Sequence, residues 1–453
     1  MLENDACMLY QKQLNQLLTS TDEHSFTLGL EILRGLDEAE YKQLLEDYKE
    51  LYRFFFGEVE PTEDITTNQM VQLNQVELSN IKASQKQNPL PSVIGRLKGL
   101  KHLTLNNLDN PRLPREVEQL ENLEELYIGK VAGAHLTIPY LATLKKLKFG
   151  ECQLEQLPSD ILQLSSLEDL SVNYNNLTTL PNNIFQLDHL TNLRIWNSQL
   201  QILPEELVLL DQLEVLKLHR NKLKQLPTDF HFLHNLKRLD LSENQLEKLP
   251  DKFFQLGNLV YVNLRENQLT SLPYDIHQKP QLQLLNLSQN KIAFLPSEIK
   301  QLSKLKDLNL WNNELNSLPG ELFEIETLES LTICENHLGH LYDTISQLKN
   351  LRVLMIDDNQ ISVLPATIGD LPCLELLSAS NNQLMAIPPE IGQLHSLEEL
   401  DLSGNEFTEL PSEIGKLTNL RKLWLESNSL WMVPDFIWDL NQLTHLVQWG
   451  LSS

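Results

Sequence analysis

The chain has 453 residues, of which 41% are hydrophobic and 22% are charged, a composition typical of globular proteins. Its 62 acidic residues outnumber its 36 lysine and arginine residues, so the formal net charge is -26. A surface this acidic repels phosphate backbones and anionic lipids, which argues against nucleic-acid and membrane-surface partners and favours a monomer.

The amino terminus lacks the features of a cleavable secretory signal. Residues 1–20 carry acidic residues where a signal peptide is basic, and they contain no apolar stretch of the required length. Elsewhere no apolar run approaches the roughly 18 residues of a membrane-spanning helix.

The cysteines form no C-x-x-C pair, which argues against a disulfide framework and against a zinc site. They are Cys7, Cys152, Cys334 and Cys373. This pattern favours a cytoplasmic protein. A protein exported without a cleaved leader would share the same features, so that alternative stays open.

Residues 1–57 carry apolar side chains at helical spacing, as in YKQLLEDYKELYRFFF (41–56). This spacing predicts two or three helices, and Ser25 and Asp37 could each open one of them. The helical region would either cap the repeats that follow, shielding the leucines of the first one, or form a separate docking module. Residues 58–72 are interpreted as a connector.

A repeated unit follows the connector. Segments such as LEVLKLHRNKLKQLP (213–227) and LKRLDLSENQLEKLP (236–250) share the template L-x-x-L-x-L-x-x-N-x-L-x-x-L-P. The L-x-L alternation makes one face of a short strand apolar and the other polar. One unit alone cannot bury that apolar face, so we expect the units to stack in parallel and cover one another.

The start points of the units set the predicted domain boundaries. From Leu144 to Leu443 a unit starts every 23 residues without insertion. Less regular units start at Leu73, Leu100 and Leu123. We assign residues 73–442 to the repeat array, and 443–453 to a partial repeat that acts as a cap.

Two features of the template predict local structure. The asparagine at the ninth position can satisfy backbone groups where the strand turns away, and Cys152 and Ser198 replace it in two units. After the Leu-Pro pair we expect either a short helical turn or an extended segment that forms the side of the repeat opposite the strand. The irregular unit after Leu123 contains Gly129 and Gly133, which leaves open a bend or a loop.

The template resembles that of the leucine-rich-repeat superfamily, in the class whose linker reads LPxxIxxLxxL. It is similar to the repeat arrays of Ras-binding scaffold proteins and of many bacterial proteins. The resemblance implies an α/β solenoid, namely a leucine-rich-repeat horseshoe with a concave parallel β-sheet and an N-terminal helical cap. It also implies that the concave sheet binds proteins, because that is the usual behaviour of the family.

The residues that flank the L-x-L leucines should line the concave face, in columns whose members lie about 4.8 Å apart. Near the middle of the array these columns are rich in basic and aromatic residues, the types that dominate binding energies. We therefore predict a protein-binding surface there. Its residues are Tyr174, Arg194, Trp196, Lys217, His219, Arg220, Arg238, Tyr261, Arg265 and Trp311.

In an alternative interpretation, these side chains interact with other residues of the same chain and not with a partner. Arg220 and Arg238 would form ion pairs with acidic neighbours across the sheet, at little energetic cost or gain. The available acidic neighbours are Asp240, Glu243 and Glu266. Trp196 and Trp311 would then only stack on adjacent side chains.

Farther along the array the predicted face becomes acidic, which would orient an approaching partner. The acidic residues are Glu335, Asp357, Asp358, Glu399 and Asp401. No calcium loop is recognisable, so a solvated acidic face is preferred to a cation site, and we predict no metal or other cofactor. At the carboxyl end, Trp431 and Trp438 are expected to plug the open end of the stack.

The sequence contains none of the common phosphate-binding, H-E-x-x-H or G-x-S-x-G motifs, so we do not expect an enzyme. Cys334 has no neighbouring base and is a poor candidate for a nucleophile. The function that we predict is a protein-protein interaction scaffold in the cytoplasm. The alternative is an exported bacterial effector or adhesin that engages proteins of a host or a neighbouring cell.

Overall fold

The computed structural model describes residues 2–57, 64–79, 89–108, 112–131, 136–275, 281–432 and 434–447. The chain divides into two compact units, Met1–Leu200 and Gln201–Ser453. Three predicted features lie outside the described residues: part of the connector (58–63), Gly133, and the end of the C-terminal cap (448–453). Across the described ranges, no helix has the length and apolar character needed to span a membrane.

Four α-helices open the first unit. They are α1 (Leu2–Leu18), α2 (Glu23–Leu36), α3 (Glu38–Phe56) and α4 (Thr67–Leu73). Asp37 caps α3 by accepting the first free backbone N–H groups, as predicted. The prediction that Ser25 opens a helix is wrong, because the Asp22 carboxylate caps α2 and accepts the N–H of Ser25 at 2.8 Å.

The helices are joined to the first repeat by buried polar contacts. Tyr48 is 1% exposed, and its hydroxyl donates to Oδ1 of Asn74 at 2.7 Å. The amide of Asn74 donates in turn to the carbonyls of Leu18 and Ser20. A buried hydroxyl and a buried amide are stable only when they are paired in this way.

A second contact joins α3 to the 3₁₀ helix Ser92–Arg96 of the same repeat. Arg96 donates to Oδ2 of Asp47 at 3.0 Å and to Oε1 of Glu40 at 2.7 Å. Asp47 is only 4% exposed, and a buried carboxylate is costly unless it is paired. The predicted N-terminal helices are therefore present, and they pack directly on the first repeat.

The described residues of the first unit contain six parallel strands. They are β1 (Glu77–Ser79), β2 (His102–Asn106), β3 (Glu125–Gly129), β4 (Lys146–Gly150), β5 (Asp169–Asn173) and β6 (Asn192–Arg194). In the irregular repeat, Leu126 pairs with Leu147, which shortens the step to 21 residues but keeps the parallel pairing. Gly129 and Gly150 are paired residues of these two strands.

The described residues of the second unit contain eleven parallel strands. They are β7 (Val215–Lys217), β8 (Arg238–Asp240), β9 (Tyr261–Asn263), β10 (Leu284–Asn286), β11 (Asp307–Asn309), β12 (Ser330–Thr332), β13 (Val353–Met355), β14 (Leu376–Ser378), β15 (Glu399–Asp401), β16 (Lys422–Trp424) and β17 (His445–Val447). Each strand pairs with the next at a step of 23 residues, as Leu285 does with Leu308. The step predicted from the leucines is confirmed.

Short 3₁₀ helices follow the strands, where the sequence predicted a helical turn or an extended wall. In the first unit they are Ser92–Arg96, Arg115–Gln119, Ser159–Gln163 and Asn182–Gln186. In the second unit they are Glu205–Leu209, Phe230–Phe232, Phe253–Gln255, Ser297–Gln301, Gly320–Glu324, Asp343–Gln347, Ala366–Asp370, Pro389–Gln393, Ser412–Lys416 and Asp435–Ile437. Most begin immediately after a proline, whose fixed φ suits a helix start.

The core of each unit is built from the template leucines. In β11, Leu308 is fully buried while Asp307 and Asn309 are partly exposed, and the other three-residue strands except β17 also bury their central residue. Each leucine layer covers the next, so burial is continuous along the stack. The predicted α/β solenoid of the leucine-rich-repeat class is confirmed in both units.

The ninth-position asparagines have the predicted role. Asn290 is buried, and its Oδ1 accepts the N–H of Leu269 in the preceding repeat at 3.0 Å. Its Nδ2 donates to the carbonyls of Leu264 and Leu287. Cys152 takes the same place as a buried thiol, and burial raises its pKa to about 11, as expected for a structural cysteine.

The prediction for the carboxyl-terminal tryptophans is wrong. Trp431 is 92% exposed and Trp438 is 63% exposed, so neither closes the stack. Both occupy variable positions of the template. The neighbouring Ile437 and Leu440 take the apolar positions and are buried instead.

Candidate protein-binding surface

The alternation of each strand produces an outward side of the sheet, which we call the strand face. It consists of the residues at the third, fifth and seventh template positions, between and after the buried leucines. Eight of the ten predicted site residues lie at these positions. Tyr174 and Arg220 occupy the eighth position, where the backbone is left-handed, with φ of 55° and 56°.

The left-handed eighth position was not predicted from the sequence. Almost every repeat has a non-glycine residue there, such as Glu266 with φ of 53°. This conformation is unfavourable for L-residues. The buried asparagine that follows fixes the turn by hydrogen bonds and so maintains it.

In the first unit, the predicted aromatic residues contact each other. The rings of Tyr174 and Trp196 lie 4.5 Å apart in an edge-to-face arrangement, and Tyr174 is 46% exposed. Arg194 is engaged within the protein, because its guanidinium donates to Asp169 at 2.5 Å and to Asn192 at 3.3 Å. This part of the surface therefore offers aromatic edges and little free positive charge.

In the second unit, two arginines stack on aromatic rings. The guanidinium carbon of Arg238 lies 5.0 Å from the ring centroid of Tyr261, and that of Arg265 lies 6.0 Å from Trp311. Both distances are within the range of a cation-π interaction. Arg238 forms no ion pair with any described residue, and nor does Lys217, so their charges remain available on the strand face.

The alternative interpretation, ion pairing of Arg220 and Arg238, is correct for Arg220 and not for Arg238 among the described residues. Arg220 donates to both carboxylate oxygens of Glu243, at 2.9 and 2.8 Å. Arg265 pairs with Glu266 at 2.7 Å and also donates to Gln289. These contacts are exposed and contribute little to stability, and a partner could replace them at low cost.

His219 lies beside an acidic neighbour, Asp240. Burial lowers its pKa, although Asp240, whose Oδ2 lies 3.7 Å from the imidazole Nδ1, acts in the opposite direction. Ser242 donates its hydroxyl to Asp240 at 2.7 Å. The hydroxyl hydrogen is therefore committed to the carboxylate, which does not match the serine–histidine link of an acyl-transfer site.

The acidic part of the strand face differs from its prediction at one residue. Asp357 is buried rather than solvated, and it accepts hydrogen bonds from Ser378, from Ser380 and from the thiol of Cys334. Burial, followed by the charge of Asp357, raises the pKa of the Cys334 thiol. Cys334 is thus a poor nucleophile, as expected. The described residues contain no group of three or more potential metal ligands.

A column of exposed ion pairs at the second template position was missed from the sequence. In the second unit it joins Lys306 to Glu329 at 2.7 Å and Arg352 to Glu375 at 2.8 Å. The signal was present, because residues of opposite charge recur 23 positions apart. These residues neutralise one another at the edge of the sheet and leave the charge of the strand face to other positions.

Comparison with known proteins agrees with this architecture. A family model described as leucine rich repeat matches residues 188–246, 234–292 and 326–384, and one described as leucine-rich repeat region matches residues 377–453. No curated protein matches the chain.

Several solved structures are similar. A leucine-rich-repeat protein of Leptospira interrogans is 34% identical, with a TM-score of 0.65, and the match covers 75% of this chain and 95% of that protein. An internalin of Listeria monocytogenes is 24% identical, with a TM-score of 0.56 over 64% of this chain and 83% of that one. YopM of Yersinia enterocolitica is 24% identical, with a TM-score of 0.59 over 88% and 81%.

The two structures at 24% identity share the fold alone with this chain. The Leptospira protein is more similar in sequence, and nearly its whole length is matched. Together with the repeating leucines and the regular strand register, this similarity shows that the chain belongs to the leucine-rich-repeat family.

Proposed function

We propose that the chain is a protein-protein interaction scaffold whose strand face binds a protein partner. Leucine-rich-repeat proteins are typically scaffolds of this kind. The observation that carries the proposal is the pair of cation-π contacts on the second unit, Arg238 on Tyr261 and Arg265 on Trp311. Arginine, tyrosine and tryptophan held in fixed orientations supply contact area with little loss of entropy on binding.

Oligomeric state, catalysis and cellular compartment are also part of what we propose. We propose a monomeric, non-catalytic protein of the cytoplasm. In support, two of the described nucleophiles are poorly placed for catalysis, since Cys334 is buried beside a carboxylate and Ser242 donates to Asp240. The scattered cysteines are consistent with a reducing compartment.

The test is cross-linking and pulldown from native cell extract, followed by mass spectrometry. We expect Arg238→Ala and Trp311→Ala each to weaken capture of a specific partner by about tenfold or more, because each removes an anchoring side chain. Trp431→Ala is the matched control, since it removes an indole that is 92% exposed and lies off the strand face. Equal capture by all four proteins, the wild type included, would reject the strand face as the binding surface.

A further inference from the structure

One strand of the second unit presents three different kinds of chemistry on the strand face. Asp307, Asn309 and Trp311 point outward at alternate positions, and Leu308 and Leu310 between them are fully buried. We call these three residues the 307–311 row. Side chains at alternate positions of a strand lie roughly 6.6 Å apart, so the row offers a carboxylate, an amide and an indole at regular intervals.

The carboxylate of Asp307 lacks a counter-charge. It is partly buried between Leu284 and Ser330, its register neighbours on the adjacent strands. The side-chain carboxylate of Asp307 forms no hydrogen bond or ion pair with any other described residue, and burial raises its pKa. A desolvated and unpaired carboxylate is costly, and a cation placed against it would remove that cost.

The amide of Asn309 has a fixed direction. Its Oδ1 accepts the backbone N–H of Trp311 at 3.0 Å, so the Nδ2 group is directed away from the sheet. The adjacent strand repeats the arrangement, because Oδ1 of Asn286 accepts both the N–H and the hydroxyl of Ser288. The Nδ2 groups of Asn286 and Asn309 form no hydrogen bond with a described residue, so both are donors that require acceptors.

The indole of Trp311 is held in place from two sides. Its backbone is fixed by Asn309, and the Arg265 guanidinium lies 6.0 Å from its ring centroid. Arg265 is itself anchored by Glu266 and Gln289. The ring therefore presents a partly exposed apolar surface that is already ordered before a partner arrives.

We propose that the 307–311 row recognises an extended segment of the partner, with a lysine or arginine opposite Asp307 and an apolar or aromatic residue opposite Trp311. The two partner residues are four positions apart, because alternate side chains of an extended chain repeat at the same interval as those of the row. A carbonyl between them accepts from Asn309. This inference rests on the proposed function and specifies the chemistry of the partner.

The test uses labelled peptides with a serine and threonine background, each carrying one arginine and one phenylalanine separated by two to five positions, in both orders. Their affinities for the full chain are measured by fluorescence anisotropy. We expect the four-position spacing to bind at least about fivefold more tightly than the three-position spacing, since only the former places both side chains on one face.

Variants of the row separate the interactions. Asp307→Asn should weaken binding of the best peptide about tenfold, and Trp311→Ala should do the same. Asp307→Lys should reverse the preference towards a peptide with glutamate in place of arginine. Asp343→Lys changes the net charge equally but lies at an exposed position of a 3₁₀ helix, and it should leave the preference unchanged.

Three results would overturn the inference: absence of binding by every peptide, affinity that does not depend on spacing, or the same effect of Asp307→Lys and Asp343→Lys. The last result would mean that a basic peptide responds only to bulk charge. If the peptides fail while partner capture still depends on Arg238 and Trp311, the proposed function stands and only the row is rejected. If capture is also insensitive to these residues, both proposals fail.

Discussion

Single residues link neighbouring repeats more specifically than the leucines do. Each ninth-position asparagine bridges two repeats, as Asn290 does by accepting from Leu269 and donating to Leu264. Burial of leucines is compatible with small shifts of one repeat against the next, whereas these directional hydrogen bonds form in only one alignment of the two repeats. Ser198 breaks the pattern, because its hydroxyl is buried and has no hydrogen-bond partner among the residues that the structure describes.

We predict that Ser198→Asn stabilises the first unit. By analogy with Asn290, the new Oδ1 would accept the N–H of Leu177 and the new Nδ2 would donate to the carbonyl of Val172. Pairing these buried groups should raise the free energy of unfolding by about 1 kcal/mol, which urea denaturation would detect as a higher midpoint. Ser165→Asn, at an exposed position, is the control and should not move the midpoint. An unchanged or lower midpoint for Ser198→Asn would contradict the prediction.

The pairing of β3 with β4 explains two glycines of the first unit. The ring of Tyr127 lies across Gly129 and Gly150, the paired residues that end β3 and β4. A Cβ atom on Gly150 would lie 2.5 Å from the Tyr127 hydroxyl oxygen, and one on Gly129 would lie 2.6 Å from it. Gly129 and Gly150 therefore make room for one aromatic side chain.

This packing predicts a coupled pair of substitutions. Gly150→Ala alone should cost about 1–3 kcal/mol, because the phenol must move out of its site. Combined with Tyr127→Thr, the residue type already present at the equivalent Thr104, the same change should cost much less. A double-mutant cycle of unfolding free energies measures this coupling, and additive effects would show that the contact does not matter.

For the strands and the turns between them, the sequence predicted those features that recur in every repeat. The strand register, the buried leucines and the asparagine bridges all follow from the template, because each repeat has the same neighbours. Features that depend on one particular neighbour were not predicted. Asp357 is buried because Ser378 and Ser380 happen to face it, and the template does not encode that combination.

At the candidate site, too, features that recur in every repeat were predicted and features that depend on one neighbour were not. Its side chains point outward as the alternation predicted, and the pairing of Arg220 with Glu243 was one of the two interpretations. The stacking of Arg238 on Tyr261 was accessible in principle, since they lie 23 residues apart at one template position. The prediction for Trp431 and Trp438 was wrong because the template position, rather than the apolar character of a side chain, decides whether a residue of a repeat is buried.

Across the whole chain, the inner positions of each unit carry the fold and the outer positions are free to carry function. Leucines fill the inner positions of both units, so a change such as Trp311→Ala should leave folding largely intact. The net charge of -26 is reduced locally where ion pairs line the edge of the sheet, as between Arg352 and Glu375. A partner would therefore contact a specific pattern of charged, polar and aromatic side chains on the strand face rather than a uniformly negative surface.

A substitution in the first unit can decide whether the N-terminal helices are a cap or an independent module. Asn74→Ala removes the buried contacts of Asn74 with Tyr48, Leu18 and Ser20. If the helices act as a cap, the loss should spread into the repeats that they cover. We expect amide hydrogen exchange to accelerate at least about tenfold in β1 and β2 as well as in the helices, because these elements then open together.

Thr27→Ala, which removes an exposed hydrogen bond within α2, is the control and should leave the exchange of the strands unchanged. An independent module would respond differently to Asn74→Ala, with faster exchange confined to the helices and protection retained in β1 and β2. The pairing of the buried Asp47 with Arg96 favours the first outcome, since it connects α3 to the 3₁₀ helix Ser92–Arg96, which lies between those two strands in the sequence. Loosening the helices removes cover from the leucines beneath them, and a stack that loses cover at one end loses stability in the layers next to it.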